Sequence, residues 1–203
     1  MKMNLPNKLT VLRLIMVPFF VVVLMLSNAV WASAIGLVLF IGASITDMLD
    51  GKIARKYGLV TDFGKFLDPL ADKFMVIGAM MVILYRSMTA TTPNKLFCTV
   101  FFWSVLVVIF RELAVTSIRL VVSGSKGIVI AANQLGKIKT VTQIVCVCAC
   151  IAEPYFYQYI KPIGFLGEYL PLSVATAAVM LFFTLWSGIH YIVSYWKYLD
   201  PEK

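Results

Sequence analysis

Four aspartates are concentrated in one short stretch of an otherwise apolar chain. Asp47 and Asp50 are three residues apart, and Asp68 and Asp72 are four apart, so on helices each pair shares one face. Residues 47–72 hold five of the ten acidic residues in the chain. Clustered carboxylates bind hard divalent cations, and two such cations can clamp a phosphoryl group during its displacement. The spacing therefore points to metal-assisted phosphoryl transfer.

A set of solvated loop carboxylates is the alternative interpretation. In that case the acids would pair with nearby basic residues, namely Lys52, Arg55, Lys56, Lys65 and Lys73. At membrane depth, each unpaired charge would cost at least about 2.5–3.5 kcal/mol, and repulsion between the acids would add to that cost. Divalent cations would remove both costs.

The composition indicates a membrane protein. The 203 residues are 61% hydrophobic and only 14% charged, with a mean hydropathy of +0.89, whereas about a quarter of the residues in a soluble domain are charged. A net charge of +8 fits cytoplasmic loops that face anionic lipid head groups. Because no soluble basic arm is visible, we expect no nucleic-acid partner.

Six apolar segments approach the length that spans a bilayer. They cover residues 11–26, 30–53, 66–85, 96–122, 135–151 and 170–195. Alternating apolar and basic residues at 1–13 predict a separate amphipathic helix on the membrane surface. We therefore expect an all-α integral membrane protein with six transmembrane helices, an N-terminal interfacial helix and a single domain over residues 1–203.

Local signals predict where the helices begin and end. Gly58 allows the chain to reverse after the second span, and Thr61 or Asp62 can cap the third helix. Thr92-Pro93 predicts the start of the fourth helix, and Glu153-Pro154 predicts the end of the fifth.

The distribution of lysine and arginine predicts the orientation of the chain. These residues are more frequent before the first span, between spans two and three, between spans four and five, and after span six. By the positive-inside rule, both termini and the acidic cluster lie on the cytoplasmic side of the cell membrane.

A longer pattern surrounds the aspartates. From Asp47 the chain reads D-x-x-D-G-x-x-A-R, followed by eight residues and then G-x-x-x-D-x-x-x-D. This pattern resembles the signature of the CDP-alcohol phosphatidyltransferases. The resemblance implies six membrane helices and a surface helix, a homodimer, and displacement of CMP from a CDP-linked lipid such as CDP-diacylglycerol by an alcohol.

The resemblance also implies roles for the matching residues. Asp47, Asp50, Asp68 and Asp72 would bind two divalent cations, Mg²⁺ or Mn²⁺, and Asp72 would also accept the proton of the acceptor hydroxyl. The nucleotide pocket would be formed by Asp50, Gly51, Ala54, Arg55, Gly64 and Asp68. The small residues in this set have a second explanation, because they also allow membrane helices to pack closely.

A second group of candidate residues is basic. Arg111 and Arg119 share a face of the fourth span, and Lys137 and Lys139 begin the fifth. Cations from two helices suit a phosphate monoester. The alternative interpretation is that they are snorkelling markers of the cytoplasmic side. Glu112 is adjacent to Arg111, but its position on a helix points about 100° away.

Three stretches carry a narrower resemblance, namely NLPNKLTVLR, RELAVTSIR and GKIKT. They are similar to bacterial members of the family that use sn-glycerol 3-phosphate, which implies that the four basic residues bind its phosphate. Asn7, Thr10 and Arg13 would lie near the entrance, without an assigned role. Other acceptors remain open: phosphatidylglycerol, inositol phosphate or serine. A divalent-cation transporter and a non-enzymatic membrane scaffold are the alternatives from other classes.

Overall fold

Six helices form the protein in a computed structural model, which describes residues 4–59, 61–126, 134–159, 167 and 169–196. In chain order they are α1 (Leu5–Leu26), α2 (Val30–Lys56), α3 (Asp62–Thr89), α4 (Lys95–Lys126), α5 (Gln134–Tyr159) and α6 (Pro171–Tyr195). The described residues contain no strand. The all-α prediction is therefore confirmed for the part of the chain that is described.

Side-chain caps fix the starts of the first and third helices. The Asn4 side chain accepts a hydrogen bond from the backbone N–H of Asn7 at 3.1 Å. Thr61 caps α3 in the same way, because its hydroxyl accepts from the Gly64 N–H at 3.0 Å. Gly58 has a φ of +63°, a conformation that glycine adopts without the steric cost of a Cβ. The predicted reversal between the second and third helices is thus confirmed.

Two predicted boundaries are wrong. The side chain of Asn94, not that of Thr92, caps α4, since it accepts from the Phe97 N–H at 2.9 Å. Helix α5 does not end before Pro154 but continues to Tyr159. A proline is tolerated within a membrane helix when neighbouring groups satisfy the backbone that it leaves unpaired.

The predicted surface helix is not separate from the first span. Residues 5–26 form one continuous helix, and residues 1–3 lie outside the described part of the chain. The polar residues Asn7, Thr10 and Arg13 are buried, because this face of α1 packs on α2 and α3. A helix lying free on the membrane surface would instead expose them to water.

Four helices are long and apolar enough to cross a membrane, among the residues that are described. They are Leu5–Leu26, Val30–Ala54, Gln134–Tyr157 and Pro171–Tyr195. Helix α3 carries Asp68, Asp72 and Lys73 in its first half, which shortens its uninterrupted apolar stretch. Large apolar side chains also cover the outer surface, as at Val38 and Phe110. These findings indicate a membrane protein and support four of the six predicted spans.

The helices pack so that one end of the bundle holds the acidic residues. Helix α1 packs on α2 and α3, while α6 packs on α4 and α5, and α3 also contacts α4 and α5. The larger apolar core takes residues from all six helices, including Phe20, Phe40, Met75, Phe101 and Met180. The start of α1, the end of α2 and the start of α3 therefore meet at one end.

Glu153 joins α5 to the start of α6. Its carboxylate is 2% exposed and accepts from the backbone N–H groups of Leu172, at 2.7 Å, and Ser173, at 2.5 Å. A carboxylate at a helix N-terminus satisfies unpaired backbone donors and interacts favourably with the helix dipole. This contact fixes α6 against α5 at the end of the bundle opposite the aspartates.

Candidate active site

Arg13 lies between the two aspartates of α2. Its guanidinium is fully buried and forms an ion pair with Asp47 through Nη1, at 2.5 Å, and with Asp50 through Nη2. Asp50 is also buried, whereas the side chain of Asp47 is about a third exposed. The two carboxylates thus share a face of α2, as their spacing predicts, and one arginine of α1 neutralises part of their charge.

Thr10 connects the α2 acids to α3. Its hydroxyl lies 2.7 Å from an oxygen of Asp68 and 3.4 Å from an oxygen of Asp50. One turn before Arg13 on α1, it therefore contacts a carboxylate from each of the two helices. The reversal at Gly58 thus brings Asp50 of α2 and Asp68 of α3 to the same hydroxyl.

Asp72 lies on the side of the cluster that faces α4 and α5. Asp72 lines the same small pocket as Glu112 and Lys139, and its carboxylate lies within electrostatic range of Asp47. It thus stands between the acidic cluster and the basic residues of the fourth and fifth helices. From this position, one carboxylate can interact with both the acidic cluster and the basic residues.

Gly64 is small because α1 packs against it. A Cβ built at this position would lie 3.0 Å from Oδ1 of Asn7 and 3.3 Å from Oγ1 of Thr61, closer than an ordinary contact. Gly51 and Ala54 on α2 are only partly buried. The side chain of Arg55 lies outside the described part of the chain.

Arg111 and Lys139 are brought together by one carboxylate. Glu112 Oε1 accepts from Arg111 Nη1 at 3.1 Å and forms an ion pair with Lys139 Nζ. Arg111 Nη2 also donates to the Ser187 hydroxyl of α6 at 3.1 Å. The expectation that Glu112 points away from Arg111 is wrong, because both side chains are long enough to bend towards each other around the helix.

The other two basic candidates are not part of this group. Arg119 on α4 and Lys137 on α5 are exposed, whereas Lys139 is 5% exposed. The four predicted residues therefore separate into an inner pair and an outer pair. Only the inner pair, Arg111 and Lys139, meets at Glu112.

A small pocket joins the acidic and basic groups. Its charged lining residues are Asp72, Lys73, Glu112 and Lys139, and its other lining residues are Val76, Ile77, Thr140 and Gln143. A phosphate held by the basic residues here would lie beside the Asp72 carboxylate. The enclosed space is about 10 Å³, room for a single water molecule, so the pocket marks where the acidic and basic groups meet.

The donor chemistry of the acidic cluster fits a hard divalent cation. Four carboxylates from two helices offer only oxygen, which is the ligand type that Mg²⁺ and Mn²⁺ prefer. Among the described residues, no group of three or more histidine, cysteine, aspartate or glutamate side chains is already placed around one ion position. Because Arg13 lies between Asp47 and Asp50, these carboxylates must share their charge between the arginine and any ion.

The cation that pairs with Asp47 and Asp50 is not one of the nearby basic residues predicted as partners. Lys52 and Lys56 are exposed, and Lys73 contacts the Pro69 carbonyl at 3.4 Å. The partner is Arg13, 34 or more residues earlier. The sequence does contain a signal for this contact, since Thr10 and Arg13 are three residues apart and therefore share one polar face of α1.

Comparison with known proteins identifies the family. The family model for CDP-alcohol phosphatidyltransferase matches residues 3–196 of the chain. The chain belongs to this family. The matched span covers the aspartates of α2 and α3 and the basic residues of α4 and α5.

Several curated relatives cover nearly the whole chain, and each is named CDP-diacylglycerol–glycerol-3-phosphate 3-phosphatidyltransferase. The relative from Bacillus subtilis (strain 168) is 38% identical, with 98% of this chain and 99% of the relative covered. Those from Salmonella paratyphi A and Wigglesworthia glossinidia brevipalpis are 33% and 35% identical, with 95% and 90% of this chain and 94% of each relative covered.

Replacing Arg13 should destabilise the protein in the absence of metal. Arg13→Met leaves the buried Asp50 and its neighbour Asp47 without their cation, and we expect a loss of about 3 kcal/mol in the free energy of unfolding, as for a broken buried ion pair. Thermal or chemical unfolding in detergent, with a chelator present, measures the change. Added Mg²⁺ should restore part of the loss, because the ion supplies the missing positive charge.

Lys8→Met is the matched control for this measurement. Lys8 is an exposed cation on the same helix, and its removal should change the free energy of unfolding by less than about 0.5 kcal/mol. Equal stability of the Arg13 and Lys8 variants would contradict the view that Arg13 neutralises the acids.

Proposed function

We propose that this protein transfers the phosphatidyl group of CDP-diacylglycerol to sn-glycerol 3-phosphate, giving phosphatidylglycerophosphate and CMP. The observation that carries the proposal is the meeting of Arg111 and Lys139 at Glu112, beside Asp72, since it places two cations for a phosphate next to the acidic cluster. The names of the curated relatives support the same acceptor.

The acidic cluster supplies the site for the diphosphate. Asp47, Asp50, Asp68 and Asp72 are the ligands proposed for two divalent cations, Mg²⁺ or Mn²⁺. When bound, these ions neutralise the diphosphate and stabilise the CMP that leaves. The cytidine nucleotide is proposed to contact the faces carrying Asp50, Gly51, Ala54, Arg55, Gly64 and Asp68. The small residues Gly51 and Ala54 would allow a ligand to approach the α2 backbone.

Asp72 is the proposed general base. The acceptor hydroxyl forms a new bond to the phosphatidyl phosphorus, the bond from that phosphorus to the CMP oxygen breaks, and the hydroxyl proton passes to the Asp72 carboxylate. Reach matters first for such a base. Its interactions with both the acidic cluster and Lys139 support this role.

The basic residues are proposed to hold the acceptor. Arg111 and Lys139 would bind the phosphate of glycerol 3-phosphate, because ionised donors form the strongest hydrogen bonds to phosphate oxygens. The exposed Arg119 and Lys137 would attract the anion from solution at longer range.

The membrane arrangement follows from the same chemistry. The two acyl chains of the donor stay in the bilayer, while the diphosphate reaches the acidic end of the bundle and the acceptor arrives from water. We propose that this end and both termini face the cytoplasm, as the distribution of lysine and arginine predicts. A homodimer and a single domain over residues 1–203 remain predictions from the family resemblance and the sequence.

An acceptor assay tests the proposed function. Purified protein receives CDP-diacylglycerol and Mg²⁺ with glycerol 3-phosphate, phosphatidylglycerol, inositol phosphate or serine supplied separately, and CMP release is measured. We expect CMP release with glycerol 3-phosphate, because Arg111 and Lys139 offer two cations to its phosphate. Release with serine or inositol phosphate but not with glycerol 3-phosphate would refute the acceptor assignment. Metal uptake by protein-containing liposomes without CDP-lipid would favour a transporter instead.

Replacing Asp72 should separate catalysis from donor binding. Asp72→Asn keeps the size of the side chain but removes the proton acceptor, so turnover should fall by at least about 100-fold, the usual lower contribution of a general base. Binding of labelled CDP-diacylglycerol should be retained in part, because Asp47, Asp50 and Asp68 remain as proposed cation ligands. Asp62→Asn, at the exposed start of the same helix, is the control and should keep its activity. Wild-type turnover by the Asp72 variant would rule out this base.

A further inference from the structure

Glu112 is a buried acid that the proposed chemistry does not use. Its side chain is 12% exposed and lies on the wall of the pocket that also contains Asp72 and Lys139. An acid beside a site for an anionic acceptor is unexpected, because its charge repels a phosphate. Its contacts therefore need an explanation that the family pattern of aspartates does not provide.

One oxygen of Glu112 holds two cations from different helices. Arg111 Nη1 and Lys139 Nζ both contact Oε1, so the guanidinium of α4 and the ammonium of α5 are close neighbours. Without the shared carboxylate these like charges would repel each other, and each long side chain would gain rotamer freedom. The Ser187 hydroxyl of α6 holds the other end of the Arg111 guanidinium at 3.1 Å.

The group retains the capacity to bind an anion. Arg111, Lys139 and Glu112 together carry a net charge of +1, and in the pocket lining the positive charge of Lys73 offsets the negative charge of Asp72. Within the described part of the chain, Nε2 of Gln143 is buried, has no hydrogen-bond partner, and belongs to a residue that lines the same pocket. This amide is a spare donor for an incoming oxygen atom.

We propose that Glu112 is a positioning residue for the acceptor, holding Arg111 and Lys139 together as one two-cation phosphate site beside Asp72. The inference rests on the proposed function. In this arrangement Glu112 does not touch the reacting atoms. It lowers the cost of bringing two like charges together before the substrate arrives, which is preorganisation of the site.

Steady-state kinetics of the full-length Glu112→Gln variant tests the inference. We expect the KM for glycerol 3-phosphate to rise by at least about tenfold, since a charge-assisted contact is lost on both cations, while the KM for CDP-diacylglycerol stays unchanged. Glu112→Asp, which keeps the charge, should recover part of the loss. In a Lys139→Gln background the Glu112→Gln change should add little, because the two residues act as a unit.

Glu153→Gln is the matched control. It also removes the charge of a buried glutamate, but at the opposite end of the bundle, so it should lower thermal stability without changing the ratio of the two KM values. If Glu112→Gln behaves in the same way, Glu112 is only structural and the inference fails. If Glu112→Gln instead lowers the KM for glycerol 3-phosphate, Glu112 competes with the phosphate, and the inference also fails.

The wild-type enzyme distinguishes these outcomes from failure of the proposed function. A wild-type protein that does not use glycerol 3-phosphate would refute the proposed function itself. A wild-type protein that does use it, together with an unchanged acceptor KM in Glu112→Gln, would refute only the positioning role.

Discussion

The buried ion pairs of Arg13 set the geometry of the acidic end. A guanidinium with no exposed surface contacts Asp47 and Asp50, and the adjacent turn of α1 contacts Asp68 through Thr10. Removing these charges from water is costly unless they are paired. The start of α1 must therefore pack between α2 and α3, and this packing is what holds carboxylates from both helices within reach of one another.

Two polar networks lie at this end of the bundle. The first, around Arg13, gathers the acids that are proposed to bind cations and a diphosphate, and the second, around Glu112, gathers the cations that are proposed to bind the acceptor phosphate. Asp72 stands between them. At the opposite end, the Arg86 guanidinium donates to neutral oxygens of Asn28, Ser33 and Tyr155, at 3.1, 3.0 and 2.6 Å. That network joins helices without assembling carboxylates, which fits a structural role.

The sequence predicted the parts of the site that depend on short-range periodicity. Asp47 and Asp50 share a face because of their spacing on a helix. The Thr61 cap is predicted by its residue type at the turn before α3. The Arg13 contacts could not be predicted in this way, because they depend on how α1 packs against helices more than thirty residues away. Only one of the two wrong helix boundaries has the same origin, since the proline signal at Glu153-Pro154 is outweighed by packing of α5 on α6. The other is local, because the Asn94 side chain and not that of Thr92 caps α4.

The most direct test of the account is the location of Mn²⁺ in crystals of the protein grown with CDP-diacylglycerol, measured by anomalous scattering. The central claim is that carboxylates of α2 and α3 bind the same cations. It predicts two anomalous peaks, each within ligand distance of aspartate oxygens and next to the diphosphate, with both helices contributing. Peaks bound by the acids of one helix alone, or found only away from residues 47–72, would contradict it.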